Sequence, residues 1–253
     1  MSTPVMAAAP EAGQPSQSFM ERFMGVFISP GETFADIARK PDFIVPLVVM
    51  VVLTLAGTEL FLAKIGLEPI MRYALEHSSR ASSMSPDQMQ QALTTGVRIQ
   101  TIFVHIGGVL AVPILCLIGA LVGWITVNSI FGGEIRFKTA FAIPCYANLI
   151  SVIPSIIGAI LVFFGDPDHI IANPSNPIPT SLGFFLNPND VSKPLLSLAG
   201  SFDIFTLWYI ALLGIGFARA SGKKASTAAT TACFFGIWLV WVLIRMGLST
   251  LNG

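Results

Sequence analysis

The chain has 253 residues, 53% of them hydrophobic and only 11% charged, with a mean hydropathy of +0.74. Its fourteen basic and fourteen acidic side chains cancel, whereas a soluble domain carries about a quarter charged residues and precipitates readily at zero net charge. Lipid is the solvent that suits this composition, and a basic nucleic-acid binder or an acidic solvating protein is excluded.

Residues 1–18 are rich in Ala, Pro, Ser and Gln and contain no basic residue. They lack the basic start and apolar core of a signal peptide and predict a disordered tail. Residues 19–41 then predict two short amphipathic helices at the membrane interface. Phe19, Phe23 and Phe27 recur every fourth position with Met20 and Met24 alongside, the pattern of an interfacial anchor. Ser29-Pro30-Gly31-Glu32 reads as a capping box with Pro at the first helical position. The second helix runs through Phe34 and Ile37 to Arg39, and Pro41 stops it.

Residues 42–250 predict an all-α polytopic membrane bundle. No charge stands between Asp42 and Glu59, Arg98 and Glu134, Lys138 and Asp166, or Lys224 and Arg245, and only Asp203 interrupts 195–218. About 20 apolar residues cross a bilayer core of about 30 Å as a helix. Five transmembrane helices are therefore expected, at about 43–65, 99–130, 139–165, 197–218 and 226–248. Period-2 alternation is lacking and the runs are too long for barrel strands, which favours helices. The second span is longer than one crossing needs, and Ser85-Pro86-Asp87 is a good start for its extension. Pro113 is a candidate kink, and Pro144 and Pro154 fall inside the third span. Gly119 and Gly123 form a G-x-x-x-G pair, and 225–232 is almost entirely Ala, Ser and Thr. Both permit close helix packing, with packing inside one chain favoured over a dimerisation face.

The loop at 66–98 looks helical and amphipathic through Ile70, Met71, Ala74 and Leu75. The loop at 166–196 is broken by six prolines, and Leu182 to Leu186 is a candidate to dip into the interface. Orientation follows Lys and Arg near the span ends. With the N-terminus inside, the cytoplasmic set is Arg22, Arg39, Lys40, Arg136, Lys138, Arg219, Lys223 and Lys224. The outer set is Lys64, Arg72, Arg80, Arg98, Lys193 and Arg245. Eight against six favours a cytoplasmic N-terminus and an outside C-terminus in a bacterial inner membrane.

Cys116, Cys145 and Cys233 lie within spans without C-x-x-C spacing and read as reduced packing residues. Asp166-Pro167-Asp168-His169 supplies too few ligands for a metal, and no metal or other cofactor is expected. Phosphate-cradling loops, H-E-x-x-H and G-x-S-x-G are all lacking. Glu59, His105, Asp203 and Arg245, by contrast, reach similar depth in the outer leaflet. Intramembrane charges are expensive and either pair or face a cavity. Asp203 and Arg245 are the expected ion pair, and a polar pocket opening outward is the functional alternative.

Three stretches resemble bacterial Yip1-domain proteins. The first is Ser29-Pro30-Gly31-Glu32-Thr33-Phe34 through Ile37-Ala38-Arg39-Lys40-Pro41. The second is Phe137-Lys138-Thr139-Ala140 to Tyr146-Ala147-Asn148, with Pro154 beyond. The third is Phe202-Asp203-Ile204-Phe205-Thr206-Leu207-Trp208 followed by Leu212-Leu213-Gly214-Ile215-Gly216. Together they cover most of 20–250. The resemblance implies a five-span integral membrane protein with a cytoplasmic N-terminus and brings no catalytic residues. The vesicle-traffic role of eukaryotic relatives, which act with small GTPases, is not carried over.

The function expected is a non-enzymatic scaffold or accessory subunit of a membrane complex, with lipids and other membrane proteins or further copies of itself as partners. A small-solute or proton-linked carrier using the polar cluster is the alternative, although five spans do not form an inverted repeat. A lipid-acting enzyme with His105 and Asp203 as acid and base ranks third.

Overall fold

The computed structural model describes residues 16–78 and 83–251, and they form an all-helical bundle. The helices are α1 (Phe19–Ile28), α2 (Pro30–Arg39), α3 (Ile44–Lys64), α4 (Glu68–Glu76) and α5 (Pro86–Ile125). They continue with α6 (Phe137–Ala147), α7 (Val152–Phe164), α8 (Pro167–Ala172), α9 (Lys193–Ser201), α10 (Ile204–Ala220) and α11 (Thr227–Leu251). The expected disordered tail at 1–18 falls almost entirely outside the described residues, as does Arg80.

Among the described residues four helical stretches are long and apolar enough to cross a membrane: Ile44–Lys64, Pro86–Ile130, Phe137–Phe164 and Thr227–Thr250. The expected span at 197–218 is not one helix. It divides at Phe202–Asp203 into α9 and a 17-residue α10. There the chain leaves the helical ladder to pair with the 180–182 segment, Leu182 N–H donating to Phe202 C=O at 3.2 Å and Ile204 N–H to Thr180 C=O at 3.1 Å. Irregular backbone among apolar helices is stable only when its polar groups are paired in this way.

Local chemistry explains the other boundaries. α1 begins at a capping box: Glu21 N–H donates to Ser18 Oγ, and Ser18 N–H donates to the Glu21 carboxylate at 2.6 Å. The box expected at Ser29 does not form, because Ser29 makes no side-chain cap bond. Its N–H instead closes the last turn of α1 on Gly25 C=O, and α2 starts from the fixed φ of Pro30. α5 does start with a box, from Ser85 and Gln88, and it runs unbroken through Pro113. It ends in a π-turn at Thr126–Ile130, where Asn128 and Ile135 N–H and C=O bond reciprocally at 2.8 and 3.1 Å. A 3-10 turn at Asn148–Ser151 separates α6 from α7. Pro154 sits three residues into α7 and has no N–H for the Ile150 carbonyl, so the α-helical ladder cannot run continuously there.

The core gathers Phe34 and Ile37 of α2, Ile143 and Tyr146 of α6, and Leu212 and Phe217 of α10, all fully buried. Small residues set the crossings. Gly123 lies beneath the Phe217 ring, and Gly119 meets Pro144. Thr230 Oγ1 donates to Gly214 C=O at 2.7 Å where α11 crosses α10. The G-x-x-x-G pair is thus occupied within the chain.

Candidate functional site

A buried ionic clamp joins the N-terminal helices to the bundle. Arg22 projects from the inward face of α1 with a side chain only 2% exposed. Its Nε donates to Asp36 Oδ2 at 2.9 Å, its Nη1 to Asp42 Oδ2 at 2.6 Å and its Nη2 to Lys40 C=O at 3.0 Å. Asp36, equally buried on α2, also pairs with Arg39 at 3.1 Å. Tyr146 of α6 closes the network, donating its hydroxyl to Asp42 Oδ1 at 2.6 Å, while the Arg22 guanidinium lies 5.7 Å from the Tyr146 ring centre. Burial opposes the charge on Arg22, but its bonds to Tyr146 and Asp36 outweigh that and hold its pKa above the usual arginine value. The guanidinium is therefore a permanent, desolvated cation, stable only because its donors are paired.

Sequence reasoning missed this clamp. Arg22 entered only the count of cytoplasmic basic residues and Asp36 was not singled out, yet both occupy apolar-face positions: Arg22 between Phe19 and Val26, Asp36 beside Phe34 and Ile37. A charge at such a position is a signal that it has a partner. The same geometry reorients the aromatic stripe. Phe19, Phe23 and Phe27 pack inward against the core, Phe19 near Tyr146 and Phe27 edge-on to Trp208. The apolar ridge left exposed on α1 is Met20, Met24 and Ile28.

At the opposite, distal end of the bundle, Glu59 of α3 and His105 of α5 meet at 2.8 Å. His105 Nδ1 lies 2.7 Å from Thr101 C=O, so that nitrogen carries a proton and Nε2 faces the Glu59 carboxylate. Both side chains stand on the lateral surface, 62% and 41% exposed.

The expected Asp203–Arg245 pair does not exist. Asp203 is the N-cap of α10, accepting from Phe205 N–H at 2.9 Å and Thr206 N–H at 3.0 Å, and its other oxygen accepts from the Thr180 hydroxyl. With both oxygens occupied it needs no counter-ion, and Arg245 stands exposed on α11. His105 and Asp203 are thus committed to different partners, which removes the basis of the acid/base reading. Asp166 similarly caps α8 through Asp168 N–H. Among the described residues no three His, Cys, Asp or Glu side chains gather as metal ligands.

The proline-rich distal loop is built around buried amides. Asn173 Nδ2 donates to Gly183 C=O, Asn176 Nδ2 to Asn173 Oδ1, and Ser181 Oγ to Asn176 Oδ1. Asn189 Nδ2 ties the loop to the Tyr73 hydroxyl of α4 at 2.9 Å. An open cavity of about 790 Å³ lies between α4, this loop and the end of α11. A narrower cleft of about 350 Å³ runs between α3 and α7.

Long apolar helices, paired backbone at the break between α9 and α10 and a buried ionic clamp at one end define a polytopic helical membrane protein. The Yip1 domain matches residues 24–246, and the chain belongs to that family. It is similar to "Membrane protein YknW" of Bacillus subtilis (strain 168), 24% identical over 230 residues that cover 90% of this chain and 91% of that protein. No solved structure matches it.

Proposed function

We propose that the protein is a non-enzymatic scaffold or accessory subunit of a complex in a bacterial inner membrane. The observation that carries this reading is the clamp: Arg22, Asp36, Asp42 and Tyr146 fix α1 and α2 against the bundle while leaving Met20, Met24 and Ile28 uncovered. A short helix held rigidly with an apolar ridge outward suits a docking platform at the membrane interface. In this reading α9 and α10 together make the fifth crossing. The N-terminus is then cytoplasmic and the C-terminus outside, as the basic residues around 132–138 and 219–225 favour.

The test places a photo-crosslinking amino acid at Met24 and, separately, at exposed Ile156 in living cells. A scaffold yields one discrete protein adduct from Met24, which then co-purifies in fixed ratio in mild detergent. Adducts only with lipid from both positions would refute it. The Glu59–His105 pair favours the carrier reading as the second choice, since ionisable side chains in contact on two membrane helices are what ion-linked transport uses. Solute or proton flux in proteoliposomes of the purified protein, lost in Glu59→Gln with the fold intact, would establish it instead.

A further inference from the structure

The cleft between α3 and α7 has a shape, depth and charge that neither the clamp nor the distal pair requires. Leu53, Gly57 and Phe61 form one wall, and Gly158, Ala159 and Val162 form the other. Ile178 from the proline-rich loop reaches in to lie 3.6 Å from where a Cβ on Gly158 would stand. The volume of about 350 Å³ sits at the small end of ligand pockets, and the lining is almost entirely apolar, as such pockets are. At 1.5 Å per residue, the α3 wall from Leu53 to Phe61 is about 12 Å long. That is most of a single leaflet of a hydrocarbon core about 30 Å thick.

The rim carries a cation. Lys64 lies on the cleft-facing side of α3, one turn beyond Phe61, and its Nζ stands 4.8 Å from the centre of the Phe163 ring. On a helical wheel of 100° per residue, Glu59 falls on the opposite side of α3, where it meets His105. The cleft thus offers an apolar slot running along most of a leaflet with a positive charge near its mouth, and Glu59 is turned away from it. No side chain occupies the space beside Gly57, for nothing lies within 4 Å of where its Cβ would stand.

We infer that this cleft holds one acyl chain of an anionic phospholipid from the distal leaflet, with its phosphate at Lys64. The occupant is a structural lipid that fills the seam between α3 and α7, and its headgroup charge is selected by Lys64. This inference rests on membrane embedding and is independent of the scaffold reading.

The experiment is native mass spectrometry of the full chain released from nanodiscs of equimolar phosphatidylglycerol and phosphatidylethanolamine. The wild type is expected to retain one phosphatidylglycerol after activation that strips annular lipid. Gly57→Leu projects a side chain into the slot from a position whose Cβ meets no neighbour, so retention should fall by about tenfold or more. Gly236→Leu, equally free of neighbours but on α11, should retain lipid as the wild type does. Lys64→Gln should keep one lipid but lose the preference for the anionic headgroup. If Gly57→Leu proves unstable, Ser155→Leu narrows the same cleft from its deep end. Retention unchanged in both cleft variants, or a wild type that retains no lipid, would overturn the inference. Headgroup selection unaltered in Lys64→Gln would overturn the assignment of the phosphate.

Discussion

Replacing Asp36 by alanine removes the central acceptor of the clamp. Arg22 gives Asp36 a hydrogen bond from Nε at 2.9 Å and a second contact from Nη2 at 2.7 Å, and its side chain is 2% exposed. Hydrogen bonds to charged groups contribute about 1.5–3 kcal/mol each, and stranding one member of a buried ion pair costs about 3–5 kcal/mol. Because Arg22 keeps Asp42 and the Lys40 carbonyl, the lower end applies, about 3 kcal/mol, or on the order of a hundredfold in the docking equilibrium of α1 and α2. Hydrogen–deuterium exchange in nanodiscs reads this directly, as loss of protection confined to α1 and α2 while α5 and α10 stay protected. Asp36→Asn, which keeps the acceptor and loses the charge, should fall between. Combining Asp36→Leu with Arg22→Met removes both charges from the interior and should recover most of the protection. A double variant as labile as Asp36→Ala would refute the view that the cost is an unpaired buried cation.

Three further outcomes are expected. Gly123→Ala sets a methyl inside the Phe217 ring, an overpacking that costs about 1–3 kcal/mol; a thermal midpoint in detergent equal to that of the wild type would contradict it. Asp203→Ala strips the N-cap of α10 and the partner of Thr180, with a loss of about 1–2 kcal/mol and faster proteolysis between 173 and 190; an unchanged cleavage pattern would argue against the bridge. Glu21 has its pKa held below the usual carboxylate value, first by the Ser18 N–H and then by the Ser18 hydroxyl. A lowered folded-state pKa means that the stabilisation is complete above the unfolded value of 4.5 and is lost as pH falls through the folded one. Protection of α1 should therefore decline on acidification in the wild type and change less in Glu21→Ala.

The membrane class and four of the apolar helices were legible in the sequence because long apolar runs with so few charges have few other uses. The broken span was not. Residues 197–218 read as one helix by hydropathy, and the interruption depends on Asp203 meeting Thr180 and on backbone pairing with 180–182, which composition does not encode. Depth grouped Glu59 and His105 with Asp203 and Arg245, and of these Glu59 and His105 meet, from two neighbouring helices. Depth alone could not settle azimuth, so Arg245 was grouped with residues from which it points away. The clamp escaped notice for the opposite reason. Hydropathy treats Arg22 and Asp36 as borders, and only their position among Phe19, Val26, Phe34 and Ile37 shows that they are interior.

The clamp also imposes an order on assembly. Arg22, Asp36 and Asp42 lie within twenty residues of one another and can pair as soon as that stretch has left the ribosome. Tyr146 follows Asp42 by 104 positions, and Trp208, which receives Phe27, comes later still. Until those residues are inserted, α1 and α2 carry two uncovered apolar faces, Met20, Met24 and Ile28 on one side and the three phenylalanines on the other. Helices made before the elements that cover them are thus seated only after those elements arrive, and in the interval the membrane surface is the shelter available to them.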